Sequence, residues 1–166
     1  MELIVVSDTH GRSDRLAEVM RRTKCSILLF LGDGLRDLNV VRDDVTVRSV
    51  RGNCDFFGDD IPEERIENFG TCCIFMTHGH RYGVKGDLSL AMAAAARAGA
   101  DILMYGHTHV PHNVYIPAGT QVGDTVLEKP LTVFCPGSLG QPCDGVATFG
   151  VLTLRDGAWL TSHGQL

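Results

Sequence analysis

The chain has 166 residues, enough to bury a hydrophobic core without disulfide support, and we expect one domain over residues 1–166. Hydrophobic residues make up 44% and charged residues 21% of the chain, which excludes a disordered protein. The net charge is −5 and the lysines and arginines are scattered, so we expect no dedicated nucleic-acid surface, although a small phosphorylated substrate is compatible with this charge.

Neither the N-terminus nor the cysteines indicate secretion. The sequence begins MELIVVSDTHG, without a cationic stretch or a cleavage site, so we expect no signal peptide. No apolar run reaches the roughly 20 residues of a membrane span, and no membrane partner is expected. The six cysteines include no Cys-x-x-Cys pair, and the adjacent Cys72 and Cys73 should lie on opposite faces of a strand. The sequence therefore predicts a reduced, cytoplasmic protein.

The first half of the chain alternates strand and helix patterns. Near-continuous apolar runs at 2–7 and 26–31 predict buried strands. Between them, Ser13 is predicted to cap a helix whose apolar positions recur at helical spacing. A weaker helical pattern covers 35–42, and a strand pattern covers 45–50.

Strand patterns dominate the second half. Residues 56–62 are predicted to form a loop, which a strand pair joined near Gly70 follows. Asp87 is predicted to cap an alanine-rich helix that ends at about Arg97. Further strands are predicted at 101–106, 113–116, 124–128, 131–135 and 146–154.

This order of elements predicts the fold class. A βαβα start followed by mixed and antiparallel strands is best satisfied by an α/β fold of two packed mixed β-sheets flanked by helices. Residues 119–129 are predicted to form an extra hairpin that shapes the cleft or an oligomer contact. An oligomer is left open by the sequence. Substrate specificity is expected to come from the loops 56–62, 80–86 and 117–124.

Seven side chains that bind metals occur in five short blocks, each directly after an apolar run. They combine imidazole nitrogen with carboxylate and amide oxygen, which suits two divalent ions such as Mn, Fe, Ni or Zn better than a structural zinc site. Two such ions in one cleft indicate hydrolysis of phosphoesters. The seven residues are Asp8, His10, Asp33, Asn53, His78, His107 and His109.

The spacing of the blocks predicts that these side chains meet. Asp8 and His10 are two residues apart, as are His107 and His109, and an extended strand would place both members of each pair on one side. Because α/β sheets bind ligands at the carboxyl ends of their strands, we expect the cluster at that edge.

The motifs D-x-H, GD, GN-x-D, H-x-H and GH-x-H occur in an order that resembles the calcineurin-like metallophosphoesterases. The strings SDTHG, GNCD, THGHRYG, GHTH and PGS resemble those of the small bacterial and archaeal phosphodiesterases of the YfcE type. The resemblance spans nearly the whole chain. It implies a four-layer α/β/β/α sandwich and hydrolysis of small phosphodiesters, in which a hydroxide that bridges two metal ions attacks phosphorus.

The resemblance also implies how the ligands are shared, with manganese as the expected metal and nickel, iron or zinc as alternatives. One ion is assigned to Asp8, His10, Asp33 and His109. The other is assigned to Asp33, Asn53, His78 and His107, so that Asp33 bridges. The residues assigned to catalysis are Asp33, Asn53 and His78.

Several neighbours of the ligands receive substrate-binding or supporting roles. His80, Arg81 and Cys54 are predicted to bind substrate. Asp55 is predicted to hold its loop by hydrogen bonds, and Ser138 is predicted to support the site through the PGS turn.

Cys54 departs from the family pattern. Many members of the superfamily carry a histidine at this position, where it assists the leaving group. A thiol with an ordinary pKa of about 8.5 is a poor substitute for that imidazole. Two interpretations stay open, namely that substrates with acidic leaving groups react best or that His80 takes over the role.

Three alternatives to a phosphodiesterase remain. A non-catalytic interaction module like the Vps29 subunit of retromer shares the implied fold, but here all seven positions hold competent ligands. The acidic charge disfavours a nuclease. A phosphomonoesterase would need a cation for the terminal phosphate, and the candidates are Arg12, Arg51, Arg81 and Lys85.

Overall fold

The computed structural model describes residues 1–166 and contains two five-stranded mixed β-sheets packed against each other, with α-helices on their outer faces. This arrangement confirms the predicted fold class. Neither α-helix is long or apolar enough to cross a membrane. The helices are α1 (Ser13–Thr23) and α2 (Ser89–Arg97), and the strands are β1 (Glu2–Val6), β2 (Ile27–Phe30), β3 (Thr46–Ser49), β4 (Glu64–Phe69), β5 (Cys72–Thr77), β6 (Ile102–Tyr105), β7 (Pro111–Ile116), β8 (Gln121–Val122), β9 (Thr125–Val126), β10 (Leu131–Pro136), β11 (Thr148–Arg155) and β12 (Ala158–Gln165).

The first sheet has the strand order β12-β11-β1-β2-β3. Strands β1, β2 and β3 run parallel, whereas β11 and β12 are antiparallel to their neighbours. Helix α1 packs on the outer face through Leu16, Val19 and Met20, which recur at helical spacing and are buried. The carboxyl ends of the three parallel strands therefore share one edge of this sheet.

The second sheet has the order β4-β5-β6-β10-β7. Its three central strands are parallel, and the edge strands β4 and β7 are antiparallel. Helix α2 covers the outer face with small side chains, among them Ala91 and Ala95, which pack near Leu103 and Phe75. The hairpin predicted within 119–129 is present as β8 and β9.

The core between the two sheets holds the layers together. It is built from fully buried side chains that point inward from both sheets, including Leu3 and Leu29 from the first and Met76, Met104 and Phe134 from the second. Each such side chain stabilises the fold by about 1.5–3 kcal/mol through loss of apolar surface from water. This packing fixes the two strand edges next to each other.

The two predicted helix caps were wrong, and a third local prediction was right in part. Helix α1 already includes Ser13, and Arg12 occupies the capping position without a side-chain hydrogen bond. Asp87 accepts a hydrogen bond from the Ser89 amide, but Leu88 occupies the cap of α2. The weak helix predicted at 35–42 is a 3₁₀ helix over Leu35–Val40.

Strand β12 was not predicted from the sequence. It pairs along its whole length with β11 at the edge of the first sheet, and none of its residues is fully buried. An edge strand of this kind lacks the continuous apolar run that marks a strand buried on both faces.

Candidate metal centre

Five loops at the carboxyl ends of parallel strands carry the predicted ligands. Three of the loops leave the first sheet after β1, β2 and β3, and two leave the second sheet after β5 and β6. Because the sheets pack face to face, these loops form one cluster, which we call the metal cluster. Its residues are Asp8, His10, Asp33, Asn53, His78, His107 and His109.

The ligands do not converge for the reason that the spacing suggested. Asp8, His10, His107 and His109 have φ between 45° and 68°, in the left-handed region, and are not part of an extended strand. Asp33 shares this conformation with φ of 59°. Such a backbone is unfavourable for residues other than glycine, at about 1–3 kcal/mol each in sparsely populated regions. The i, i+2 argument from strand alternation was therefore wrong, although the side chains do meet.

The first ligand group consists of Asp8, His10 and His109, whose ligand atoms lie within 4.8 Å of one another. The Asp8 Oδ1 atom is 3.1 Å from His109 Nε2 and 3.6 Å from His10 Nε2. The two Nε2 atoms of His10 and His109 are 3.2 Å apart.

The second ligand group consists of Asp33, His78 and His107, again with all ligand atoms within 4.8 Å. His78 Nε2 lies 3.2 Å from Asp33 Oδ2 and 3.2 Å from the amide oxygen of Asn53. The same Asp33 Oδ2 is 3.7 Å from His10 Nε2 in the first group. Asp33 thus lies between the two groups, which is the position predicted for a bridging carboxylate.

Two histidines are oriented by backbone carbonyls. His78 Nδ1 is 2.7 Å from the Leu31 oxygen, and His109 Nδ1 is 2.7 Å from the Gln141 oxygen. At each contact Nδ1 donates its proton to the carbonyl, so Nε2 faces the cluster. Where Nε2 carries no proton, its short contacts with carboxylate oxygens join acceptors to acceptors, which only a cation or an added proton relieves.

The Asp8 carboxylate is the clearest sign that the ligand atoms of the metal cluster fit a cation. Its side chain is fully buried, and Oδ1 has no hydrogen-bond donor. Oδ2 accepts hydrogen bonds from Ser7 Oγ at 2.5 Å and from the His107 amide at 3.0 Å. A buried carboxylate oxygen without a partner is costly, and its opposing imidazoles suit divalent first-row ions.

The electrostatics keep the carboxylates ionised. Burial alone would raise the pKa of Asp8, but its contacts with His10 and His109 hold it well below the usual range. Burial likewise acts against ionised Asp33, yet the hydrogen bond from His78 lowers its pKa. Burial and the charge of His78 lower the pKa of His107 to about 4. His107 is therefore neutral at pH 7, as a metal ligand must be.

Asp55 holds the loops that carry Asp33 and Asn53. Its Oδ1 accepts the backbone N–H groups of Gly34 and Leu35 at 2.8 and 2.9 Å, and its Oδ2 accepts those of Asp33 and Gly52 at 2.8 and 2.9 Å. Four backbone donors thus converge on one carboxylate, which agrees with the loop-holding role predicted for it.

The PGS turn supports the first ligand group. Ser138 is fully buried, and its hydroxyl donates to the Asp8 carbonyl oxygen at 2.8 Å while it accepts the Gln141 amide at 2.8 Å. The Ser138 hydroxyl therefore links the backbone of Asp8 to Gln141, whose carbonyl oxygen orients His109. The turn acts through the backbone, and the hydroxyl is engaged on both sides.

Gly52 allows the second group to form. A Cβ atom at this position would lie 2.1 Å from Asp33 Oδ1 and 2.6 Å from the Asp33 amide nitrogen. No side chain larger than hydrogen fits there unless Asp33 moves. The glycine in the GN-x-D block is thus required by close approach.

The residues predicted to bind substrate lie at different distances from the cluster. His80 is next to it, with its ring centroid 5.5 Å from that of His78 and 6.2 Å from that of His107. Burial and the charge of His78 lower the pKa of His80. Arg81 instead extends to Glu63, with Nη2 3.1 Å from the carboxylate, and its side chain is 66% exposed.

Cys54 lies at the rim of the second group. Its backbone N–H donates to Asp33 Oδ1 at 2.8 Å, and its thiol sulfur is within 4.8 Å of ligand atoms of His10 and Asp33. Partial burial and the nearby Asp33 carboxylate raise the pKa of the thiol. The sulfur is therefore protonated at neutral pH.

A cavity of about 320 Å³ adjoins the metal cluster at His10, Asp33 and Cys54. Asp55, predicted to hold its loop, also lines the cavity, and the other lining side chains were not singled out in the sequence, apart from the general expectation that loop 56–62 sets specificity. The only local signal was the Phe-Phe pair in that loop. We call this cavity the aromatic pocket and define it by Leu35, Arg36, Phe56 and Phe57.

The chain is similar to known phosphoesterases along nearly its whole length. The calcineurin-like phosphoesterase superfamily domain matches residues 1–157. The probable metallophosphoesterase YsnB of Bacillus subtilis is 29% identical over 160 residues, covering 95% of this chain and 87% of the relative. The phosphodiesterase YfcE of Escherichia coli K12 is 28% identical, with 92% and 87% covered, and the solved structure of Escherichia coli YfcE aligns with a TM-score of 0.64. A single mutant of Vps29 from Entamoeba histolytica aligns at 20% identity with a TM-score of 0.71, covering 100% and 99% of the two chains.

Proposed function

Because the chain belongs to the calcineurin-like phosphoesterase superfamily, we propose that it is a phosphodiesterase that acts on small molecules and uses two divalent metal ions, with manganese as the first candidate. The observation that carries this proposal is the pair of ligand groups with Asp33 between them, in which imidazole Nε2 and carboxylate oxygen atoms face one another. Each group offers carboxylate oxygen and imidazole nitrogen, as catalytic divalent ions require.

Two divalent ions, when bound, would activate water and neutralise the charge that develops on the phosphoryl oxygens. The protein residues supply the orientation. Asp33 is held by the Cys54 amide, so its other oxygen is directed between the groups. The carbonyls of Leu31 and Gln141 keep the imidazole protons of His78 and His109 on Nδ1, away from the reaction site.

Protonation of the leaving group distinguishes this chain from relatives with a histidine at position 54. The Cys54 thiol keeps its proton at neutral pH, but it is a weak acid on the exposed side of the cluster. His80 is neutral at pH 7 because burial lowers its pKa. We therefore propose that substrates with acidic leaving groups react fastest.

The preference for a diester over a monoester rests on the ion pairs of the arginines. A terminal phosphate carries an additional charge that an unpaired cation would bind. Three of the four candidate cations are already paired, since Arg12 contacts Asp14 at 2.7 Å, Arg51 contacts Asp59 at 2.7 Å and Arg81 contacts Glu63. Only Lys85 of these four has no ion pair, so the set offers a terminal phosphate one free cation instead of four, which supports the proposed diester.

The alternative of an interaction module rests on the fold shared with Vps29. A module of this kind has no need for a buried carboxylate oxygen without a partner or for imidazoles directed at it. The metal-ligand atoms around Asp8 therefore favour an enzyme over an interaction module.

The six free cysteines favour a reducing compartment, and we propose the cytoplasm.

The proposal is tested by hydrolysis of bis-p-nitrophenyl phosphate beside p-nitrophenyl phosphate. Metal-stripped protein is reconstituted with manganese, and Asp33→Asn serves as the blank because it keeps the size of the side chain. We expect manganese-dependent turnover that favours the diester. A protein that binds manganese at the cluster but hydrolyses neither ester would support the interaction module instead.

A further inference from the structure

The aromatic pocket shows two large apolar side chains in contact with water. Phe56 is 82% exposed and Phe57 is 63% exposed, although both belong to one loop beside the metal cluster. Adjacent exposed rings that line a cavity are typical of a binding site and not of a loop that serves only as a connection.

The pocket also contains a cation at the ring face. The Arg36 guanidinium carbon lies 4.0 Å from the centroid of the Phe57 ring, which is a cation–π contact. Both a phenyl ring and a guanidinium group present flat faces on which another planar group stacks. The lining is therefore suited to a flat ligand.

The carboxylates that line the pocket are already engaged by the protein. Asp55 accepts four backbone N–H groups, as described for the loop. Asp37 Oδ2 accepts the Thr9 hydroxyl at 2.5 Å and the Gly11 amide at 2.9 Å. Asp33 is directed at the metal cluster. The pocket thus offers a ligand mainly rings, an aliphatic side chain and a guanidinium group.

The loop that carries the two rings is held at both ends. Asp55 fixes its start, and Asp59 at its far side forms an ion pair with Arg51 at 2.7 Å. In the middle, Gly58 packs so closely that an added Cβ atom would lie 3.2 Å from Leu35 Cδ1. A pre-formed loop loses less conformational entropy when a ligand binds, so less of the stacking free energy is offset.

From these observations we propose that the aromatic pocket binds a nucleobase, so that the substrate is a phosphodiester with one nucleoside ester group. The base would stack on the pocket while its phosphate reaches the metal cluster, since the cavity is continuous with His10, Asp33 and Cys54. This inference rests on the proposed phosphodiesterase function and adds the chemical class of the substrate.

The test compares two diesters with the same leaving group. Thymidine 5′-(p-nitrophenyl phosphate) and methyl p-nitrophenyl phosphate both release p-nitrophenolate, so a difference between them reports the group that stays on phosphorus. We expect the manganese-loaded protein to favour the thymidine ester by about tenfold in kcat/KM, mainly through KM.

Three variants locate the effect. Phe56→Ala/Phe57→Ala should remove the preference, so that the two esters react with equal kcat/KM. Phe56→Tyr/Phe57→Tyr keeps the rings and should retain the preference. Tyr115→Ala is the matched control, because Tyr115 is 66% exposed on the edge strand β7, away from the pocket.

The outcomes separate this inference from the proposed function. Equal kcat/KM for the two esters in the wild-type protein, with both hydrolysed, would overturn the nucleobase pocket and leave the phosphodiesterase intact. If neither ester is hydrolysed, calorimetric titration with thymidine 5′-monophosphate and methyl phosphate decides. About tenfold tighter binding of the nucleotide, lost in Phe56→Ala/Phe57→Ala, would support the pocket, and equal affinities would overturn it.

Discussion

The metal cluster and the aromatic pocket share a wall but are built in opposite ways. In the cluster, Asp8, Asp33 and His78 are at most 2% exposed, and each side chain is held by a hydrogen bond to a backbone group. In the pocket, Phe56 and Phe57 are mostly exposed and only the backbone of their loop is held. In the proposed function, the buried polar region carries the reactivity and the exposed apolar one selects the substrate.

The two regions also differ in what they contribute to folding. The cluster concentrates like charges and left-handed backbone, which destabilise the protein without bound cations. The pocket rings add little to stability because they bury little surface. Mutations in the two regions should therefore separate activity, stability and substrate preference.

The largest effect is expected for Asp33→Asn. This change removes the charge between the two ligand groups and keeps the acceptor for the Cys54 amide. We expect kcat/KM on bis-p-nitrophenyl phosphate to fall by more than about a hundredfold, together with weaker manganese binding. Activity assays and metal analysis of the same sample check this, and retained activity would contradict the role of Asp33.

Asp55→Ala should affect both regions at once. It leaves four backbone N–H groups without an acceptor, three in the loop that carries Asp33 and Leu35 and one in the loop that carries Asn53. We expect the free energy of unfolding to fall by about 3 kcal/mol and the metal affinity to fall by about tenfold or more. Urea denaturation measures the free energy of unfolding, and manganese titration measures the metal affinity. A fall in only one of these two quantities would contradict the role of Asp55 in holding both loops.

Cys54→His should change activity selectively. An imidazole at this position supplies a group that can protonate a leaving group, and general acid catalysis acts most on poor leaving groups. We expect about a tenfold faster reaction with methyl phenyl phosphate and little change with methyl p-nitrophenyl phosphate. Cys54→Ser is the control, and an unchanged rate on the poor leaving group would refute the explanation.

The smallest effect is expected for the stability of Phe56→Ala. Because the side chain is 82% exposed, the free energy of unfolding should change by less than about 0.5 kcal/mol. Met104→Ala, in the core between the sheets, should cost about 2–5 kcal/mol in the same urea experiment. A large loss for Phe56→Ala would mean that the pocket has a structural role.

The sequence predicted the fold class and the residues of the cluster because both follow from local patterns. Apolar runs mark the parallel strands, and each run is followed by its ligand block. The backbone that brings the ligands together was not predictable in the same way. Asp8 and His10 donate their amides to the Gly32 and Asp33 carbonyls, and these contacts between distant segments stabilise the left-handed conformation.

The aromatic pocket was missed for a related reason. Arg36 lies in a 3₁₀ helix whose first turn is attached to the loop 52–55 by the Asp55 carboxylate. Nothing in the sequence near Arg36 indicates that it lies over Phe57, about twenty positions away. Hydrogen bonds between distant segments bring Arg36 and Phe57 together, and the hydrophobic periodicity of the sequence does not predict such bonds.

The measurement that tests the account most directly is a manganese titration of metal-free protein, followed by electron paramagnetic resonance and by turnover of bis-p-nitrophenyl phosphate. The arrangement of two ligand groups around Asp33 predicts two ions per chain, a spectrum of a coupled manganese pair and a rate that reaches its maximum when the second ion binds. Full turnover with one ion per chain, or with no ion, would contradict the dinuclear centre.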